Sequence, residues 1–297
     1  MSSIPIFSSL TINRPSSPSP SSCPRKIYAE TLLTSFSANI VPASQLEVRP
    51  TPELVSSGID QVDAITGGFP RGCMTEVYGP KSSGRTSLLL AALLAATRRA
   101  EVCALVDVND AFDPASTAAA GVEFKKLLWV RCQEKQKLSS RQRQYSSPKA
   151  SSWVETKKNV DRIEQALRVT DLLLQSGGFG LVAIDLADVP FKLARRIPLA
   201  SWFRFQRAVE HTPTVLLLIT PSPCTQSCAA LLLKMQSKTS EKKPAVFSSA
   251  LSGCEIPAHA ELLESFDTRA EILRSRIARK PARSVTAAFT TKAVRAG

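Results

Sequence analysis

Short apolar runs alternate with amphipathic segments along the middle of the chain. Buried strands are predicted for MTEVYG, EVCALVDV, KKLLWVRC, GLVAIDLADVP and PTVLLLIT. Helices are predicted for GIDQVDAIT, TSLLLAALLAATRR, DPASTAAAGV, 159–175 and 199–210. Strands that alternate with helices in this way indicate a parallel sheet covered by helices on both faces.

The segment 159–175 has the clearest amphipathic pattern. Its residues Val160, Ile163, Leu167 and Leu174 share one helical face, which we expect to be buried. The residues just before it, 133–153, are polar and basic without periodicity, and we predict an exposed loop there.

Changes in composition divide the chain into three parts. Residues 1–50 are rich in Ser and Pro and are predicted to form a flexible arm. The first 29 residues contain no acid, as in a transit peptide, but lack the arginine-rich periodicity of one. Residues 51–235 form the predicted core. Residues 236–297 are read as a polar linker, beginning near Lys234, and a β-hairpin that completes the core.

Charge and cysteine content narrow the range of partners and ligands. The net charge of +13 favours polyanionic partners such as nucleic acid or acidic proteins. Seven cysteines form no C-x-x-C pair, and we interpret most of them as reduced core thiols. No window reaches the ~18 apolar residues of a membrane span. A cytoplasmic protein that does not bind membranes is the expectation.

The segment GPKSSGRTS has the spacing of a phosphate-binding loop, but Arg85 stands where that motif has lysine. It follows a predicted strand and opens a predicted helix, which is the context the motif requires. ATP is therefore the expected ligand, held by backbone N–H groups at a helix N-terminus. The residues assigned to nucleotide binding are Gly79, Pro80, Lys81, Ser82, Ser83, Gly84, Arg85, Thr86 and Ser87. The alternative is a tight glycine turn between a strand and a helix.

Two oxygen ligands for Mg²⁺ are predicted near this loop. Thr86 offers a hydroxyl at the start of the helix, and Asp185 ends a neighbouring strand, where it would hold the ion through water. The alternative for Asp185 is a solvated acid at a strand end.

The stretches GGFPRGCMTEVYGPKSSGRTS and VCALVDVNDAFDPASTAAAGVEFKKLLWV resemble the ATPase core of the RecA recombinases. The similarity is close over 57–133 and looser as far as Thr220. It implies an α/β fold: a RecA-like P-loop NTPase core with a mainly parallel sheet flanked by helices, plus a C-terminal β-hairpin.

Several positions depart from the family pattern. Asn109 stands where the resemblance places the glutamate that activates water, and Asp110 is a weak substitute. Thr220-Pro221 replaces the Asn-Gln pair that senses the γ-phosphate, and the DNA loop that follows it is shortened to PSPCTQS. Weak or absent ATP hydrolysis is therefore expected.

The resemblance also nominates residues that contact other molecules. Arg274 and Arg276 stand where the family places two lysines that reach a neighbouring subunit's nucleotide. A basic, aromatic segment lies where the family has its first DNA loop, and Trp202 or Phe203 could stack on bases there. The candidates for DNA or partner contact are Lys192, Arg195, Arg196, Trp202, Arg204 and Arg207. The alternative is an amphipathic helix with a solvated basic face.

The finer resemblance is to ImuA, a RecA-like accessory of damage-induced mutagenesis. It implies a catalytically degenerate ATP-binding protein of the SOS response that supports translesion synthesis. Its partners would be translesion polymerase components or RecA, with DNA contact and self-association left open. Two alternatives are an active DNA-dependent ATPase of the recombinase type and a SulA-like division inhibitor with an empty nucleotide site.

Overall fold

The computed structural model describes residues 51–132, 148–237, 265–277 and 285–292. The predicted arm at 1–50, the basic stretch 133–147 and most of the predicted linker lie outside the described residues.

The predicted strands and helices of the core are present. The strands are β1 (Leu54–Val55), β2 (Phe69–Pro70), β3 (Cys73–Tyr78), β4 (Cys103–Asp107), β5 (Leu127–Arg131), β6 (Leu181–Asp185), β7 (Val215–Thr220), β8 (Leu231–Ser237), β9 (Ser265–Ser275) and β10 (Thr286–Lys292). The helices are α1 (Asp60–Thr66), α2 (Arg85–Arg98), α3 (Pro114–Ala119), α4 (Pro148–Ser176), α5 (Phe191–Ala194) and α6 (Leu199–Val209).

Eight strands form one sheet in the order β10-β9-β8-β3-β7-β6-β4-β5. The six strands from β8 to β5 run parallel, whereas β9 and β10 form an antiparallel hairpin at one edge. Because parallel strands end at the same edge, β3, β4, β6 and β7 bring their carboxyl ends together. The predicted fold class, including the terminal hairpin, is confirmed.

Helices cover both faces of the sheet, as the buried parallel strands require. On one face α4 and α6 pack through residues such as Ile163, Trp202 and Phe205. On the other face α1 and α2 pack through Val62, Leu89 and neighbouring apolar residues. Every residue of β4 and β7 is consequently buried.

Local sequence signals explain where the shorter helices begin and end. Gly67 ends α1 in the left-handed conformation, with φ of 77°, which confirms the predicted glycine stop. Asp113 caps α3 by accepting hydrogen bonds from the N–H groups of Ala115 and Ser116, and Pro114 takes the first helical position.

Three expectations about the elements are wrong. Strand β8 continues to Ser237, so the segment from Lys234 to Ser237 is not linker: Met235 is buried there and Lys234 pairs with Tyr78 of β3. Helix α4 begins at Pro148, which removes the last residues of the predicted loop. Val160 is 45% exposed, because the apolar face of α4 that contacts the sheet starts a turn later, at Ile163.

Candidate nucleotide site

The phosphate-loop segment joins β3 to α2 at the carboxyl edge of the sheet. Ser82 and Gly84 have positive φ angles, 56° and 84°. Left-handed residues in such a turn direct successive N–H groups to one side, which creates a concave site for anions. Helix α2 begins directly at Arg85, so its positive end faces the same place. The segment therefore has the backbone of a phosphate-binding loop.

Strands β8 and β9 lie in close contact with two glycines of this loop. A Cβ atom on Gly79 would lie 2.4 Å from the carbonyl oxygen of Met235 in β8, and one on Gly84 would lie 2.7 Å from the side chain of Thr268 in β9. Both loop positions thus require glycine. Met235 and Thr268 belong to the site, although they lie in segments that the sequence marked as linker and hairpin.

The side chain of Arg85 is engaged in hydrogen bonds within the protein. It is buried, and its guanidinium donates hydrogen bonds to the carbonyl oxygens of Thr220, at 2.8 Å, and Ala187, at 3.3 Å. Burial lowers the pKa of Arg85, while the nearby carboxylates of Asp185 and Asp188 counteract that effect. The cation at the lysine position therefore connects the start of α2 to the last residue of β7 and to a residue that follows β6.

Asp185 ends β6 beside this guanidinium. Its Oδ1 accepts a hydrogen bond from the N–H of Ala187 at 2.8 Å. Desolvation raises the pKa of Asp185 to about 6, and the charge of Asp107 on the neighbouring strand adds to the rise. At neutral pH the group is ionised and can serve as an oxygen ligand.

The residues present fit a magnesium ion held mainly by a nucleotide. Thr86 is exposed at the start of α2, and Asp185 is the acid at the end of a nearby strand. Among the described residues no group of three or more His, Cys, Asp or Glu side chains could hold a metal. Magnesium in nucleotide sites needs only one or two protein oxygens, because phosphates and water complete its shell.

The position of the expected general base contains no available base. Asn109 carries a buried Nδ2 that has no hydrogen-bond partner in the described part of the chain. Asp110 forms a two-point ion pair with Arg131, at 2.6 and 2.5 Å, and has a left-handed φ of 58°. An arginine-paired carboxylate is a poor proton acceptor, because the guanidinium favours its ionised form.

Glu76, in the middle of β3, is a site residue that the sequence reading missed. Its side chain is fully buried, and Oε1 accepts hydrogen bonds from the hydroxyl of Thr220, at 3.0 Å, and the N–H of Cys224, at 2.7 Å. Oε2 accepts from the N–H and hydroxyl of Thr225. The loop after β7 is thereby fastened to the strand that leads into the phosphate loop. An acidic residue in an otherwise apolar strand was the available signal.

The two arginines of the hairpin differ in environment. Arg274 has two buried guanidinium nitrogens, Nε and Nη2, without a hydrogen-bond partner among the residues described. Burial lowers its pKa, and the positive charge of Arg276 lowers it further. Arg276 is exposed, and its backbone N–H donates to the carbonyl of Ala230. Their predicted role toward a neighbouring nucleotide remains a prediction.

The basic candidates in and next to α5 and α6 are all exposed, and some of them also contact a neighbouring side chain. Trp202 is completely buried, so the expectation that it stacks on a base is not compatible with its place in the core; Phe203 is 44% exposed. Arg204 forms an ion pair with Asp171 of α4 at 3.0 Å. The other exposed cations of this surface are Lys192, Arg195, Arg196 and Arg207, and the guanidinium of Arg195 lies 5.3 Å from the centroid of the Phe191 ring.

A cavity of about 280 Å³ opens beside the loop. Its walls include Ser87 of the loop segment, Ile59 and Gln61 at the start of α1, and Phe289 of β10. This volume is close to the lower end of small-molecule sites.

None of the described helices is both long enough and apolar enough to cross a membrane.

The sheet, the helices on both of its faces and the loop between β3 and α2 define a RecA-like α/β core of the P-loop type. Residues 40–139 match the family model described as the RecA N-terminal domain. RecA of Corynebacterium jeikeium is 33% identical over 141 residues, which are 47% of this chain and 30% of that protein. RecA of Chlorobaculum parvum is 35% identical over 119 residues, 40% of this chain and 26% of that protein.

RecA of Kineococcus radiotolerans is 33% identical over 141 residues, which are 47% of this chain and 32% of that protein. These matches support a RecA-like family. The chain spans about a third of the length of the relatives it matches.

Proposed function

We propose that this chain is a RecA-like protein that binds ATP with Mg²⁺ and hydrolyses it weakly or not at all. One contrast carries the proposal. The backbone of the phosphate loop is complete, whereas Asn109 stands at the expected base, Asp110 is paired with Arg131, and Arg85 bonds to two strand-end carbonyls. Such a site can hold phosphates but lacks a group positioned to activate water.

The cavity beside Ser87 would receive the nucleoside. Ile59 and Phe289 offer apolar surface to a base, and Gln61 offers an amide that can both donate and accept hydrogen bonds. ATP should therefore bind more tightly than inorganic tripolyphosphate.

In the cell, the protein would act through partners in DNA repair. We propose an ImuA-like accessory role in translesion synthesis during the SOS response, with polymerase components or RecA as partners. The exposed cations of α5 and α6, with Phe191 and Phe203 exposed beside them, support contact with DNA or with an acidic partner surface.

The test is single-turnover ATP binding and hydrolysis with protein in excess, Mg²⁺ present, and single-stranded DNA added or omitted. Retention of uncleaved ATP is the expected result. Cleavage that rises with DNA would instead establish an enzyme, and absence of binding would end the nucleotide proposal. Thr86→Ala, which removes an exposed hydroxyl from the proposed Mg²⁺ ligands, should weaken Mg²⁺-dependent binding without unfolding the protein.

Restoring the missing acid alone should not restore catalysis. We expect Asn109→Glu to release phosphate within a few-fold of Asn109→Gln, a variant of the same shape without the charge. The reason is that Arg85 and Thr220-Pro221 also depart from the catalytic pattern. Phosphate release measured in a single turnover decides the matter: brisk hydrolysis by the glutamate variant alone would mean that only one group was missing.

A further inference from the structure

Thr268 of β9 lies against the phosphate loop from the far end of the chain. Its side chain is fully buried. A Cβ on Gly84 would lie 2.7 Å from both its Cγ2 and its Oγ1, which is closer than real Cβ contacts. Gly84 therefore has its left-handed conformation directly against this threonine. The contact determines how near β9 can approach the loop.

Two buried hydroxyls at this loop have no hydrogen-bond partner within the described residues. One is Oγ1 of Thr268, and the other is Oγ of Ser83. The Ser83 oxygen would lie 2.6 Å from a Cβ on Gly79, so both hydroxyls border loop glycines. A buried hydroxyl without a partner costs free energy, so each such group calls for an explanation, and a role at a binding site is one of them.

We propose that Thr268 is a positioning residue of the phosphate loop, and that its hydroxyl bonds to the segment 82–84 when the loop holds a triphosphate. This inference rests on the proposed nucleotide binding. A hydroxyl suits the role because it rotates freely and can either donate or accept. When the N–H groups of the loop donate to phosphate oxygens, the hydrogen bond from the Thr268 hydroxyl holds Gly84 in position.

The contact joins nucleotide binding to the C-terminal hairpin. Thr268 pairs with Ser237 of β8 and with Phe289 of β10, whose side chain lines the cavity beside Ser87. The same strand continues to Arg274. Gly84 therefore directly contacts the strand that contains Arg274, so a movement of Gly84 on nucleotide binding would reach this strand.

Three variants separate the hydroxyl from the shape of the side chain. Thr268→Val keeps the shape and removes the hydroxyl, and Thr268→Ser keeps the hydroxyl. Thr75→Val is the matched control, because Thr75 is also fully buried in the same sheet, and its Oγ1 also has no partner among described residues. Both valine variants should unfold at the same or a higher denaturant concentration than wild type, since each removes an unpaired buried hydroxyl.

Calorimetric titration with Mg²⁺-ATP and with tripolyphosphate tests the proposal. Thr268→Val should bind both ligands roughly three- to tenfold more weakly, the factor that corresponds to one hydrogen bond. Thr268→Ser and Thr75→Val should bind as wild type does. Amide exchange in the loop should slow on ATP binding in wild type and slow less in Thr268→Val.

The outcomes distinguish this inference from the proposed function. If wild type binds ATP and Thr268→Val binds it equally well, the threonine only fills space and the inference is overturned. Weaker binding by Thr268→Ser to the same degree would point to the methyl group and would also overturn it. If wild type binds neither ligand, the proposed function fails and the inference fails with it.

Discussion

Arg85 shows how one side chain can change the use of a phosphate-loop backbone. One guanidinium nitrogen, Nη1, donates to the carbonyl oxygens of both Thr220 and Ala187, and it stands at the end of a longer side chain than the ammonium nitrogen of lysine. The sequence revealed the substitution but not the direction of the side chain, because that direction depends on acceptors a hundred or more residues away.

Arg85→Lys should therefore reduce stability without abolishing nucleotide binding. We expect a loss of about 1–3 kcal/mol in the free energy of unfolding, because the buried carbonyl of Thr220 loses its donor. Chemical denaturation measures it, and ATP titration should show affinity equal to or above that of wild type.

Two further variants serve as controls for this prediction. Arg98→Lys, at the exposed end of the same helix, should change stability by less than about 0.5 kcal/mol. Arg85→Met should lose both stability and ATP binding, because it removes the charge. Wild-type stability in Arg85→Lys would show that the two carbonyl contacts contribute nothing.

At the scale of elements, most of the sheet follows from the sequence. The apolar strands, the glycine stop after α1 and the Asp-Pro start of α3 are local signals, and each appears where expected. Strand β8 was not predicted. Lys234 and Gln236 made its second half look like linker, and its partners β3 and β9 are distant in sequence. Glu76 was missed because its hydrogen-bond partners, Thr220, Cys224 and Thr225, are also distant in sequence.

Glu76→Gln should loosen the loop that follows β7. The variant keeps the size of the side chain but places an NH₂ group against donors, either the N–H of Cys224 or that of Thr225. We expect a loss of about 1–3 kcal/mol in unfolding free energy. Faster amide exchange at Cys224 and Thr225 should accompany it.

The control for the loop is a carboxylate at the opposite end of the sheet. Glu101→Gln should leave exchange at Cys224 and Thr225 unchanged. Unaltered exchange in Glu76→Gln would contradict the view that this carboxylate fastens the loop.

Glu101 bridges Arg99, just after α2, and Arg71, just before β3, and the pH dependence of stability tests this bridge. Its carboxylate accepts hydrogen bonds from Arg99, at 3.1 Å, and from Arg71. Burial opposes ionisation, but the arginine bonds prevail and lower the pKa of Glu101. Its stabilising effect is therefore complete above the unfolded pKa of about 4.3 and is lost as pH falls through the lower folded value.

Glu101→Gln should accordingly destabilise the protein by about 1–2 kcal/mol at pH 7, allowing for partial exposure. The difference from wild type should shrink below about pH 4. Urea unfolding of both proteins across this range measures it. A difference that is constant with pH would mean that the charge of Glu101 does not matter.

At the scale of the whole molecule, the net charge of +13 follows directly from the sequence. Composition alone does not say where the charge acts. On the surface of α5 and α6, exposed cations accompany the exposed side chains of Phe191 and Phe203, and one cation of α6, Arg204, is paired with Asp171.

Removal of Lys192, Arg196 and Arg207 by alanine should weaken binding to single-stranded DNA and reduce its salt dependence. If all three contact phosphates, the slope of log affinity against log salt should fall in magnitude by about 2. Fluorescence anisotropy at several salt concentrations measures the slope.

A charge-matched triple variant controls for net charge. Replacement of Arg98, Lys125 and Arg269, which are exposed elsewhere, removes the same charge and should leave the slope nearly unchanged. Equal effects of the two triple variants would mean that binding follows net charge and that α5 and α6 form no DNA surface.

The contact between Gly84 and Thr268 also has a consequence for biosynthesis. A ribosome makes the loop long before it makes the strand that walls it, and at ordinary rates of elongation the delay is on the order of ten seconds or more. During that time the nascent chain contains the loop glycines and the start of α2 but not β9, whose Thr268 packs against Gly84. The proposed nucleotide pocket is therefore among the last parts of the described core to be completed.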